Sequence, residues 1–210
     1  MNLEEKKKQL IDELITEGFL KTPEIISAFR SVTREDFVPN ELRSHAYDNC
    51  PLPIAEGQTI SQPLTVAVMT EALQPRKGNK ILEVGAGSGY QAAILAEIIG
   101  QKGQIITTEI IKSLAEFASE NIKKCGYENV VVINEDGSVG YKKYMPYDRI
   151  IVTASAPAVP QQLVNQLKDN GRLVIPVGDE MFLVEKTDKK FKKTSLGYYV
   201  FVPLKGRRGW

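Results

Sequence analysis

The spacing of apolar and polar positions changes rhythm twice along this chain. Residues 3 to 18 set Leu3, Leu10, Ile11, Leu14 and Ile15 at helical intervals, and Gly18 ends the pattern. A second helix is predicted from Pro23 to about Arg30, with Thr22 as its cap. Between residues 31 and 63 the periodicity fails, because Pro39, Pro51, Pro53, Gly57 and Pro63 interrupt it. That stretch reads as a structured surface excursion with at most short strands. A loop of this length is either disordered or functional. Phe37, Val38, Tyr47, Leu52 and Ile54 argue for the ordered, functional option. A helical pattern returns over residues 64 to 73.

From Lys80 the rhythm becomes strand, turn, helix, repeated. Strands are predicted at Ile81–Val84, Gln104–Thr108, Val130–Ile133, Arg149–Thr153 and Leu173–Val177. Helices fall between them: one through Ile99, one from about Ser113 to Lys124 closed by Gly126, and one over Pro160–Lys168. Alternation of this kind implies an α/β fold, a Rossmann-like doubly wound and mostly parallel sheet with right-handed crossovers. The tail differs. Phe182–Glu185 and Tyr198–Pro203 read as two strands joined by a lysine-rich turn over Lys186–Lys193. Without a helix between them they should form an antiparallel hairpin at the sheet edge. One domain of 210 residues is expected, with a helical and loop extension over 1–78, a core over 79–180 and a hairpin and tail over 181–210.

Composition narrows the classes. With 42% hydrophobic and 25% charged residues the chain is ordinary for a globular domain. A net charge of +1 gives no bulk field to draw nucleic acid or anionic lipid, so neither partner is expected. No apolar run approaches the roughly 20 residues of a membrane span, and the lysine-rich start lacks the apolar core of a secretory signal. Cys50 and Cys125 are too few for a disulfide framework or a zinc site, so no metal is expected and a cytoplasmic setting fits. His45 is the only histidine and reads as a loop surface residue.

Candidate chemistry gathers in two places. Gly85, Gly87 and Gly89 sit where a strand meets a helix, a junction that lets backbone approach a ligand and offers free N–H donors. A structural turn looks the same, so the acids nearby carry weight. Glu109 ends the second strand of the core, 20 residues past Gly89, where a carboxylate accepts from ribose hydroxyls. Asp136-Gly137 ends the third strand, within reach of an adenine amino group, although it is also a plain turn pair. The spacing Gly-Ala-Gly-Ser-Gly, with Glu83 in the strand before it, departs from the dinucleotide pattern Gly-x-Gly-x-x-Gly. It resembles S-adenosylmethionine-dependent methyltransferases instead. The second place is Gly57-Gln58-Thr59-Ile60-Ser61-Gln62-Pro63, polar but uncharged.

These segments together resemble the protein-L-isoaspartate (D-aspartate) O-methyltransferase family. The likeness runs through Phe37-Val38-Pro39, Tyr47-Asp48, Pro51-Leu52-Pro53-Ile54, the 57–63 strip, Ile81–Tyr90, Asp136-Gly137, 146–153, 171–178 and Phe201-Val202-Pro203-Leu204. Thr-Ile-Ser-Gln-Pro is the most family-specific of these. The resemblance implies methylation of the free α-carboxylate of L-isoaspartyl residues in damaged proteins and peptides. The ester then cyclises to a succinimide that reopens partly as normal aspartate. It implies S-adenosyl-L-methionine as cofactor, isoaspartyl proteins as partners and a monomer. It implies Ser61 as the active-site residue, Thr59, Ser61 and Val202 at the substrate, and Ile60, Gln62, Pro63, Glu83, Gly85, Gly87, Ser88, Gly89, Glu109, Asp136 and Gly137 at the cofactor. A substrate carboxylate is ionised at pH 7 and a sulfonium is a good leaving group, so alignment and desolvation matter more than a base. Alignment can contribute about 7–11 kcal/mol. Neutral donors suit it, since a tight ammonium partner would stabilise the ground state. Read without the family, Ser61 is more simply a turn-forming or capping serine ahead of Pro63 and the helix after it. Two departures stand out: Ala55-Glu56 and Glu135 occupy positions where the family often has glycine. They leave open a silent relative that binds the cofactor or another protein without turnover; a methyltransferase of another target, a small molecule or RNA, is the other alternative, and segment 57–63 and the lack of a basic face argue against it.

Overall fold

The apolar runs become strands whose alternate side chains enter two separate cores. The computed structural model describes residues 1–188 and 190–210. In chain order it contains α1 (Leu3–Thr16), α2 (Pro23–Ser31), β1 (Leu52–Pro53), β2 (Thr59–Ile60), α3 (Pro63–Leu73), β3 (Lys80–Val84) and α4 (Tyr90–Ile99). There follow β4 (Gln104–Thr108), α5 (Lys112–Lys124), β5 (Val130–Ile133), β6 (Tyr147–Val152), α6 (Gln161–Gln166), β7 (Leu167–Val177), β8 (Glu180–Thr187) and β9 (Lys190–Tyr198). The main sheet has the order β5-β4-β3-β6-β7-β8-β9. Its first five strands are parallel, and β8 and β9 add antiparallel. Ile81, Ile105, Ile151 and Val174 point into the core beneath α1 to α5, while Leu82, Ile106, Ile150 and Leu173 point into the other core, with Leu163 and Val164 of α6. A sheet covered on both faces needs such unbroken apolar strands. Each of these strand side chains is fully buried, and such burial is worth about 1.5–3 kcal/mol per residue.

The chain order reverses direction between β3 and β6, and doubly wound sheets bind ligands at that point, beyond the carboxyl ends of the strands. Several sequence expectations are corrected away from it. Residues 31–63 are more than a surface excursion. Phe37, Val38, Ala46, Tyr47, Leu52, Ile54 and Ile60 are buried in the core shared with α1, α2 and α4. Thr22 stands before α2 without capping it by side chain. Its hydroxyl donates to Glu71 Oε2 at 2.7 Å instead, and Glu71 Oε1 accepts the Lys21 and Thr22 amides. The helix predicted through Lys168 stops at Gln166, because Leu167 is buried and pairs with Tyr147 across the sheet. The tail hairpin lies earlier than expected. Lys190 to Lys193 are strand residues of β9, opposite Thr187 to Val184, and Lys189 lies outside the described residues. Residues 199–203 have left the sheet, held by a bridge between Ser155 and Pro203. Lysines on this edge strand are compatible with pairing and discourage contact with other sheets.

Candidate active site

Beyond Val84 the chain turns sharply, and the Gly85 and Ala86 amides both donate to the Thr108 carbonyl, at 2.8 and 3.1 Å. This bends the glycine loop over the end of β4. Gly85, Gly87 and Gly89 have φ of +99°, +54° and +88°, a region that favours glycine. Their reasons differ. A Cβ at Gly85 would collide with Thr153 Oγ1, which donates to the Gly85 carbonyl at 2.7 Å. A Cβ at Gly89 would crowd Ile122 and the Ala118 carbonyl of α5. Gly89 caps α4 and stands outside the cleft lining, whereas Gly85, Gly87 and Ser88 line it. Gly137 lines it too, and a side chain there would strike Thr108 Oγ1. The cleft encloses about 880 Å³ of empty space, its open mouth included.

Two carboxylates face this space. Glu109 is nearly buried, and its oxygens accept the Gly87 amide at 3.1 Å and the Ile111 amide at 3.0 Å. It is a rigid acceptor at the end of β4. Glu83 is fully buried in β3, and neither of its oxygens has a hydrogen-bond partner among the described residues. Burial pushes its carboxyl up to about 8. A buried carboxyl without a partner is costly to the fold on its own account. A ligand bringing a cationic amine and sugar hydroxyls would answer both groups. Asp136 stands outside the lining. Its oxygens accept the Ser138 amide at 2.9 Å and the Arg207 amide at 2.8 Å. Burial raises its carboxyl less than those bonds lower it, so it stays below the ordinary carboxylate range. Each oxygen retains a lone pair. Glu135 is exposed and outside the lining, so the extra acid does not enter this space.

The opposite wall is the strip before α3. β1 and β2 pair antiparallel, Leu52 with Ile60 and Pro53 with Thr59, which folds Thr59, Ile60 and Ser61 onto the cleft. Among the described residues neither the Thr59 nor the Ser61 hydroxyl is engaged by another side chain or carbonyl. Gln62 and Pro63 stand outside the lining and shape it. Gln62 Nε2 donates to the Asn49 carbonyl at 2.9 Å, and Pro63 opens α3 at its first turn. Glu56 has φ of +61°, in the left-handed region that favours glycine. Its Oε1 accepts from Ser113 Oγ of α5 at 2.8 Å.

Sequence reasoning missed the residue that holds this strip. Arg34 is fully buried; its Nε donates to the Ala46 carbonyl and its Nη2 to the Ser61 carbonyl, both at 2.8 Å. Its guanidinium lies 4.9 Å over the Tyr90 ring, which Phe37 meets edge-on. Burial depresses the Arg34 pKa, partly offset by Tyr90 and Tyr47. Tyr47 in turn donates to Glu35, so one cluster of side chains underlies Ser61. An isolated arginine in a proline-rich loop carries no periodicity signal, so only the fold exposes it. Tyr90, Gln91 and Lys205 also line the cleft without having been singled out. His45 is exposed and bonds Asp48 at 2.8 Å, in keeping with a loop-ordering pair.

The tail closes the cleft beside Gly137. The Val202 carbonyl accepts the Ser155 amide at 2.8 Å, and the Leu204 amide donates to the Ser155 carbonyl at 2.8 Å. Val202 therefore offers its N–H, rather than its carbonyl, to anything that approaches. Trp210 is largely exposed, yet its Nε1 donates to the Ser155 carbonyl at 2.9 Å, packing the terminus back on the body.

Comparison with known proteins bears on the family and the fold. The sequence profile of the family described as protein-L-isoaspartate(D-aspartate) O-methyltransferase matches residues 5–209. A protein-L-isoaspartate O-methyltransferase of Methanopyrus kandleri is 49% identical, covering 97% of this chain and 93% of that protein. One from Ignicoccus hospitalis is 50% identical, covering 96% and 98%. A Plasmodium falciparum structure described as a beta-aspartate methyltransferase, in complex with S-adenosyl-L-homocysteine, superposes with a TM-score of 0.84 at 27% identity, covering 94% and 97%. The chain belongs to the protein-L-isoaspartate(D-aspartate) O-methyltransferase family.

Proposed function

We propose that the cleft holds the free α-carboxylate of an L-isoaspartyl residue for methylation, with Ser61 as the donor that orients it. The reaction is carboxyl O-methylation of damaged proteins and peptides, the activity named for the relatives that match nearly the whole chain. One observation carries the assignment of roles: two unengaged hydroxyls, Thr59 and Ser61, stand across one cleft from the glycine loop and its two buried acids.

S-adenosyl-L-methionine supplies an activated methyl group on a positively charged sulfur. The residues present fit it. Glu83 offers a buried carboxyl unpartnered among the described residues and Glu109 a fixed acceptor, while the backbone of Gly87 and Ser88 lines the cleft beside them. Gly85 and Gly137 keep the floor of the cleft clear, while Asp136 retains one lone pair per oxygen for an adenine amino group. Ile60 supplies apolar wall. Gln62, Pro63 and Gly89 act from outside the lining by fixing the strip and the start of α4.

Ser61 Oγ then orients the substrate carboxylate, and the Val202 N–H takes the peptide backbone. The hydroxyl need not remove a proton, since the carboxylate arrives ionised. It contributes a neutral donor that does not over-stabilise the ground state. Lys205, on the tail, is the cation of the lining and is exposed, so its charge is screened. We further take the protein to act as a monomer in the cytoplasm, without nucleic-acid or membrane partners; no described helix is long and apolar enough to cross a membrane.

Ser61→Ala tests the role directly. Turnover on an isoaspartyl peptide should fall about 10²–10³-fold, as when one positioned donor is removed, while S-adenosyl-L-homocysteine binds with unchanged affinity by calorimetry. Unchanged turnover would remove Ser61 from the mechanism.

A further inference from the structure

A second cleft lies toward the opposite end of the parallel strands from the methylation site and shares no residue with it. It is lined by Arg76, Arg149, Arg172, Glu185, Lys186 and Lys192, with Gln74, Asn170 and Thr187 on its rim, and encloses about 920 Å³, mouth included. The lining contains no aromatic and no aliphatic residue. Five cations face one carboxylate.

Sheet register builds this cluster. Arg149 of β6 pairs with Arg172 of β7, Arg172 with Glu185 of β8, and Glu185 with Lys192 of β9. The four side chains form one row across four strands. Residues 168–171 bulge out between the Leu167 and Arg172 pairings, and Asn170, at φ +61°, rims the cleft. Like charges directly opposite one another in a sheet are destabilising. The Arg149 guanidinium shows that strain: burial lowers its pKa first, and Arg172 and Arg76 lower it further.

Part of the cluster has a structural use. Arg149 Nε donates to the Gln74 carbonyl at 3.1 Å and Arg172 Nη1 to the Ala72 carbonyl at 3.3 Å, at the C-terminal end of α3 where cations are favoured. Arg172 Nη2 meets Glu185 at 3.0 Å, and Lys186 donates to the Leu167 carbonyl at 2.6 Å. That use leaves a surplus. Among the described residues the side chains of Arg76 and Lys192 engage no acceptor, and Arg149 has a free Nη2. Capping one helix does not require three arginines and two lysines around an open space.

We propose that this cleft binds a small anion carrying several phosphate groups. Guanidinium forks match phosphate oxygens in bidentate geometry. Every lining residue is charged or polar and none is aromatic, so recognition rests mainly on the anionic groups of the ligand. The concave shape, with cations on its floor and rim, suits a compact multivalent anion better than an extended strand. Arg149 stands four residues before Thr153, so the cleft floor lies on the order of 13 Å along β6 from the methylation site. Occupancy would relieve the repulsion between Arg149, Arg172 and Arg76 and stabilise the folded protein.

Inorganic triphosphate is the probe, titrated calorimetrically into the full chain in metal-free, low-salt buffer. We expect one site per chain, weakened steeply by added salt. Arg149→Gln should weaken binding tenfold or more. Arg76→Gln and Lys192→Gln, both exposed and with side chains that engage no acceptor among the described residues, should each weaken it several-fold and keep the fold intact if the Arg149 variant does not. Methylation of an isoaspartyl peptide should be unchanged in those two variants, and S-adenosyl-L-homocysteine should not displace the triphosphate. The proposal is overturned by no saturable binding, by binding indifferent to the Arg76→Gln, Lys192→Gln double variant, or by displacement with S-adenosyl-L-homocysteine. Sulfate binding as tightly as triphosphate, or an RNA oligomer binding more tightly through the same residues, would also overturn it.

Discussion

Glu83 concentrates the residue-scale argument. It is buried in β3 with no well-formed hydrogen bond among the described residues, and the Thr107 hydroxyl nearby only partly eases the cost of its burial, which a ligand would offset. With its carboxyl pushed up to about 8, folding takes up a proton that the unfolded chain, near the ordinary 4.5, has already lost. This contribution to stability is therefore greatest below about pH 4.5 and is lost as pH rises through 8. Glu83→Gln removes the titration. The variant should melt a few degrees above the parent at pH 8, with a flatter pH profile between 5 and 8, since about 1 kcal/mol moves Tm by 2–4 °C at this size. It should also bind S-adenosyl-L-homocysteine more weakly, tenfold or more. Thermal scans and calorimetry on the same samples check both, and parallel pH profiles would contradict the assignment. Gly85 and Gly87 sit one residue apart, yet their constraints differ: Thr153 crowds one, while the other needs only its positive φ. The motif alone shows glycine without showing which reason applies.

At the scale of elements, the strip from Thr59 to Ser61 is held from below by Arg34. Burying that guanidinium costs several kcal/mol. Its two charged hydrogen bonds return about 1.5–3 kcal/mol each, and its stacking on Tyr90 about 2. With Nη1 buried and unpartnered among the described residues, the balance is near zero or below, so Arg34 contributes geometry rather than net stability. Arg34→Met should therefore shift Tm by less than about 5 °C, yet lower kcat on isoaspartyl peptide about tenfold while S-adenosyl-L-homocysteine affinity holds. A large loss of stability at unchanged kcat would reverse that reading. The tail is the second such device. Deleting residues 207–210 removes the Arg207 and Arg208 amides from Asp136 and Ser138, and Trp210 from Ser155. At about 1 kcal/mol per hydrogen bond the fold should lose about 3 kcal/mol, read in a thermal scan as a Tm lower by roughly 6–12 °C; an unchanged Tm would show that the tail holds nothing. Arg34 was not legible in the sequence, because it sits in an aperiodic loop; at Arg207-Arg208-Gly209-Trp210 the sequence reads as a basic end whose Trp210 can pack back on the body, and the backbone bonds to Asp136 and Ser138 needed the fold. The core strands were legible, because Gln104–Thr108 and Val130–Ile133 are apolar runs bounded by turns. The hairpin was misplaced because lysines on β9 look like a turn, and only pairing with β8 reveals them as an edge strand.

At the scale of the molecule, a doubly wound sheet brings together segments that are distant in sequence. Thr59–Ser61, Gly85–Ser88, Glu109, Gly137 and Val202 come from across the chain, yet line one cleft beside the β3/β6 reversal. The order of the segments allowed that convergence to be anticipated from the family likeness. Asp136 lying behind the lining, with its carboxylate tied to the tail, could not be anticipated, since a turn pair does not disclose its partners. The central claim is that this cleft distinguishes a misplaced α-carboxylate from an ordinary side-chain carboxylate. It is tested by incubating the full chain with labelled S-adenosyl-L-methionine and two peptides that differ only in one isoaspartyl or aspartyl linkage. The account predicts base-labile methyl ester on the isoaspartyl peptide and background on the other; equal labelling of both, or none of either, would contradict it.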